Sequence, residues 1–80
     1  MMEVNLNTLS DIEIVSDNQL IRLIDHTESF RATGLVDEIS PIRKLAMLHY
    51  GSDTALHMAL VCGEINRIAA IRFRRLVLWD

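Results

Sequence analysis

Apolar positions in this chain fall into three helical stretches of unequal length, and the last and longest organises the other two. From Asp53 to Trp79 the sequence holds no proline and is dense in alanine, leucine and arginine, which favour helix. At about 100° per residue, Met58, Cys62, Ile65, Ala69, Phe73 and Leu76 share one broad face, the predicted core seam. Asp53, following the turn Gly51-Ser52, is the predicted N-cap. His57, Glu64, Arg67, Arg74 and Arg75 gather opposite, yet Leu56, Leu60, Ile71 and Leu78 lie among them. A helix apolar on so many sides calls for cover on more than one.

Two shorter helices precede it. Ser16 with Gln19 forms a capping-box pattern that predicts a helix from about Asp17 to Ala32. Its buried face is Leu20, Leu23, Ile24 and Thr27, its outer face carries Asp25 and Glu28, and Gly34 sits where a left-handed C-terminal residue belongs. Leu35 to Ile39 is a connection bearing the acidic pair Asp37 and Glu38. Ser40-Pro41 opens a second helix that ends at Gly51, with Ile42, Leu45, Ala46 and either Leu48 or His49 facing inward. Residues 2–7 alternate weakly, as a strand or an extended arm, and residues 9–15 lack helical spacing. The expectation is one all-α domain over 1–80: two shorter helices packed on one long C-terminal helix over 16–80, preceded by an extended N-terminal arm or loop over 1–15.

A stripe of small residues runs along the long helix through Ala55, Ala59, Gly63 and Ala70. A glycine within a helix costs about 1 kcal/mol relative to alanine, so Gly63 implies close packing inside the subunit, self-association or a helix break. With Phe73 and Leu76 added, Ala59, Gly63 and Ala70 make a candidate homodimer seam. Glu64, Arg67 and the later arginines interrupt the apolar run, so no membrane span is expected.

Eighty residues with few aromatics imply one small, mainly aliphatic core. One cysteine excludes an internal disulfide framework and fits a reducing cytoplasm, and no secretory signal is visible at the start. Charge is lopsided: residues 1–38 hold eight acids and two arginines, a net of −6, while residues 39–80 have a net of +3. The halves attract each other, or the acidic half faces a basic partner.

Candidate chemistry is sparse. His57 and Cys62 stand on different faces of one helix, so no zinc-ligand set is predicted, and the isolated glycines provide no phosphate cradle. Cys62 reads as a small core hydrophobe, not a nucleophile. No cofactor and no enzymatic activity are expected. The order helix, Gly51, helix resembles a helix-turn-helix in outline, but its second helix would offer Ala55, Leu56, Met58 and Leu60 to base edges. A ribbon-helix-helix order fits better, although Glu3 would then face the nucleic acid. The chain end, Phe73 to Trp79, interleaves large apolar residues with arginines, the types that anchor protein interfaces, and an alternating strand over 71–79 is the other reading of it.

These features predict a cytoplasmic, non-enzymatic module that binds a larger host protein or complex, probed through Asp25, Glu28, Asp37, Glu38, Arg72, Arg75 and Trp79. Small acidic domains of this composition occur among inhibitors carried by phages and mobile elements, an analogy of composition only. The acids would then imitate a nucleic-acid backbone against a basic target. The alternative is a small dimeric DNA-binding transcriptional regulator using Arg72, Arg74 and Arg75.

Overall fold

The computed structural model describes residue 12 and residues 14–73. They form α1 (Asp17–Thr33), α2 (Pro41–Tyr50) and α3 (Ala55–Arg72), and no strand occurs among the described residues. The local chemistry sets each boundary. Ser16 Oγ accepts from the Gln19 amide at 3.2 Å while the Gln19 side chain accepts from the Ser16 amide, closing the capping box. Ser40 caps α2 with Pro41 at its first position. Gly34 and Gly51 terminate α1 and α2 at φ of 72° and 74°, where a side chain would clash with its own backbone.

The third cap differs from the sequence reading. Thr54, not Asp53, accepts from the His57 amide at 3.3 Å, because the Asp53 carboxylate is engaged by Arg43 at 2.7 Å. Helix α3 is continuous through Gly63 and ends at Arg72, with Phe73 as its C-cap. A strand over 71–79 is therefore wrong for Ile71 and Arg72, which are helical, and for Phe73, the C-cap; residues 74–79, the predicted strand over 2–7 and residues 1–11 and 13 of the predicted arm or loop over 1–15 lie outside the described residues, whereas Ile12 is helical.

Both α1 and α2 pack on α3. The core is aliphatic: Ile12, Leu20, Ile42, Ala46, Val61 and Ile65 are buried, joined from α3 by Met58, Cys62, Ile68 and Ala69. The predicted seam is thus present from Met58 to Phe73, Leu76 lying outside the described residues, and it is wider than expected by Val61 and Ile68, because both α1 and α2 pack on α3. His49, not Leu48, turns inward from α2. Ile12, assigned by sequence to a loop, belongs to the core.

Two polar contacts fix the packing. The buried Thr27 hydroxyl donates to the Ile24 carbonyl at 2.8 Å and lies 3.3 Å from Asn66 Oδ1 on α3, so a polar group inside the α1–α3 joint is satisfied. Arg72 Nη1 donates to the Val15 carbonyl at 2.7 Å and lies 3.6 Å from Asp17, tying the end of α3 to the start of α1.

Candidate interaction surface

The connection between α1 and α2 is short, largely exposed, and held from both sides. At its start the Leu35 amide donates to Thr33 Oγ1 at 3.1 Å. Beyond it, the Ser40 amide donates to the Asp37 carbonyl at 3.0 Å and Ser40 Oγ accepts from the Ile42 amide at 3.2 Å. Arg43 completes the arrangement. Its guanidinium donates to the Val36 carbonyl and to the Asp37 carbonyl, each at 3.3 Å, and to Asp53 Oδ2 at 2.7 Å. One planar cation therefore joins this loop to the residue pair that precedes α3, a use of the five-donor fork that a lysine cannot reproduce.

Held this way, the loop turns Val36 toward the core and leaves Leu35 and Ile39 outside at 75% and 77% exposure. Between them stand the exposed side chains of Asp37 and Glu38. The backbone of Asp37 is occupied, but no ion pair joins the side chain of Asp25, Asp37 or Glu38 to another described residue. An open cleft of about 480 Å³ runs from this loop to α1, with Asp37 on one wall and His26 and Ser29 on the other. Asp25 and Glu28 are exposed and immediately precede those two α1 residues in sequence. Glu28 also approaches Arg31 at 3.6 Å, both side chains being mostly exposed, a contact that water largely screens.

Other predicted residues fall elsewhere. Arg72 is turned inward onto Val15, its side chain only 22% exposed. Phe73 packs against the subunit's own core and not along the small-residue stripe. Ala59, Gly63 and Ala70 are exposed, and a Cβ built on Gly63 would meet nothing within 4 Å among the described residues. Among the described residues, none packs closely enough on Gly63 to require a glycine there. Leu76, Arg75 and Trp79 lie outside the described residues.

Burial pushes the Cys62 thiol above its ordinary pKa, against a smaller pull from the Arg31 guanidinium, which keeps the sulfur protonated and poorly nucleophilic at neutral pH. His57 shares a hydrogen bond with Ser52 through Nδ1 and stacks on Tyr50 with ring centroids 4.8 Å apart, packing that fastens the α2–α3 turn. Among the described residues, no three His, Cys, Asp or Glu side chains converge as a metal-ligand group, and no helix is long and apolar enough to cross a membrane. Comparison with protein-family models, curated proteins and solved structures finds no match to this chain.

The sequence reading found the acidic pair but not its apolar flanks. Leu35, Val36 and Ile39 are alike in composition, and which of them turns inward is settled by contacts made in the fold, among them the bonds from Arg43 to the Val36 and Asp37 carbonyls.

Removing that grip has a measurable cost. Arg43→Ala is expected to lower stability by about 1–3 kcal/mol, the scale of losing charge-assisted bonds in a partly exposed site. Arg43→Lys should recover little of it, since an ammonium cannot span the same acceptors. Chemical denaturation checks this, and a change within about 0.5 kcal/mol for Arg43→Ala would mean the loop is held by other contacts.

Proposed function

We propose that this chain is a non-enzymatic protein-binding module, working as a homodimer, that acts as a stoichiometric inhibitor or regulator of a larger macromolecular assembly. The observation that carries this reading is the loop of residues 35–39, where two of the most exposed large apolar side chains bracket two carboxylates without ion-pair partners among the described residues. Exposing apolar side chains of this size to water costs free energy, and a clamped loop surrenders little conformational entropy when a partner covers them. The carboxylates supply orientation and rate: they attract a basic surface and disfavour an acidic one. Inhibition by occlusion requires shape and charge and no reacting group.

The favoured partner is therefore a protein with a basic rim around an apolar pocket. Capture from cell lysate with the tagged chain, with and without nuclease, tests the reading. It gains support if one protein is retained in stoichiometric amount after nuclease by the unaltered chain and lost by a Leu35→Ser/Ile39→Ser variant. Retention of nucleic acid alone, or of no partner sensitive to the loop, would contradict it and move the balance to a DNA-binding regulator.

A further inference from the structure

The cleft beside the loop does not end at His26. A second open cleft, of about 360 Å³, begins there and continues along α1 past Leu23 and Arg22 to Gln19 and Val15, with Pro41 also lining it. His26 lines both clefts, and Ser40 of the first is the chain neighbour of Pro41 of the second, so the two meet at the start of α2 and form one groove. The helical repeat agrees: Gln19, Arg22, His26, Ser29 and Thr33 recur every three or four residues and make one continuous stripe along α1. From Gln19 to Thr33 that stripe is about 21 Å long at about 1.5 Å per residue, the reach of roughly six residues of extended chain.

The polar groups of the groove are ordered along it. Arg22 is the one arginine or lysine and Asp37 the one carboxylate among the described residues that line it, Arg22 toward the start of α1 and Asp37 across from His26 and Ser29. The side chains of Arg22, His26, Ser29 and Asp37 are exposed and make no ion pair or side-chain hydrogen bond with another described residue. All four therefore face outward with their hydrogen-bonding capacity open to a ligand.

We propose that this groove holds a short extended segment of the partner protein, about six residues long, with an acidic side chain at Arg22 and a lysine or arginine at Asp37. Resting on the partner-binding reading above, this names what lies beside the loop while Leu35 and Ile39 enter the partner's own pocket. Charge selects the occupant: a polyanion would meet Asp37, and a polycation would meet Arg22. Shape selects it too. An open groove leaves a small molecule largely in water, whereas binding pockets bury most of their ligand. The apolar face of an amphipathic helix would cover Arg22, His26 and Asp37 without pairing them, but an extended chain sends successive side chains to opposite sides and brings its own backbone donors and acceptors. Arg22 and Ser29 lie about 10 Å apart along α1, so the acid and the base of the segment belong about three residues apart.

The protein captured from lysate, and synthetic peptides of about ten residues tiling its sequence, test this against the full chain. Arg22→Glu and Asp37→Lys should each weaken binding of the intact partner about tenfold or more. One peptide with an acid and a base in that spacing should shift the NMR amide signals of α1 from Gln19 to Thr33 and of Asp37, and should compete with the intact partner. The double variant Arg22→Glu/Asp37→Lys should prefer that peptide with its acid and base exchanged, a selection that loss of structure cannot produce. Circular dichroism checks that the variants fold, and Leu48→Glu, exposed on α2 and outside the groove, should bind like the unaltered chain. Failure to retain any protein through Leu35 and Ile39 overturns both the groove and the partner-binding reading. A partner lost by Leu35→Ser/Ile39→Ser but bound equally well by Arg22→Glu, or a double variant with no preference for the exchanged peptide, overturns the groove alone.

Discussion

Reversing the charge of Asp37 and Glu38 together, as Asp37→Lys/Glu38→Lys, is expected to weaken partner binding at least about 100-fold, roughly 3 kcal/mol, with no loss of fold. Both side chains are exposed and cap no helix. The contacts that hold the loop run through the Asp37 carbonyl oxygen, which a lysine at the same position keeps. The effect is therefore confined to the complex. It arises because each lysine replaces attraction to a basic rim with repulsion, so the two substitutions move the chain by four charges against that surface. Salt distinguishes this from lost shape. Affinity of the unaltered chain should fall with ionic strength, while residual binding by the reversed variant should rise as repulsion is screened. Titration of the captured partner provides both curves, and affinity unchanged by the reversal would remove the idea that these acids imitate a nucleic-acid backbone.

Ile65→Ala is expected to cost about 2–5 kcal/mol, because it empties a fully buried site between the two shorter helices and α3. A domain of this length has roughly 4–12 kcal/mol in total, so the variant loses a large part of its stability and can unfold at physiological temperature. Leu60→Ala, on the same helix and similar in chemistry, should change the monomer by no more than about 0.5 kcal/mol, since Leu60 is nearly half exposed and away from the core. The pair of denaturation curves tests the assignment of α3's inner and outer faces. Equal losses at the two positions would show that both sides of α3 are buried within one subunit.

That division of α3 marks the limit of what periodicity reveals. The inner seam of Met58, Cys62, Ile65 and Ala69 is legible because it follows the helical repeat, and the polar caps at Ser16 and Ser40 are legible because capping is chemistry between near neighbours. Val61 and Ile68 are harder to assign, since an apolar residue at the margin of a wide stripe is buried or exposed according to where the neighbouring helices lie. Ile12 shows the same difficulty in a segment too short to have a period. The choice of Thr54 over Asp53 as cap depends on Arg43, ten residues earlier than Asp53, reaching across to take the carboxylate. No local rule contains that contact.

The candidate surface was legible to a similar extent. Its acids stand out in sequence because they are concentrated in the first half of the chain. Its apolar flanks do not, because the exposure of Leu35 and Ile39 depends on contacts made only in the fold, those of Arg43 with the loop among them. The same long-range reasoning turns Arg72 from an expected surface cation into an internal tie, since the carbonyl of Val15 comes within reach only after the chain has folded.

In the proposed function, residues 35–39 meet a protein partner. Hydrogen–deuterium exchange of the purified chain with and without its captured partner tests it most directly, because the method reports where along the backbone the complex forms. Exchange should slow through Leu35 to Ile39 and in the facing part of α1 around His26 and Ser29. Protection confined to the outer face of α3, with the loop exchanging as in the free chain, would contradict it.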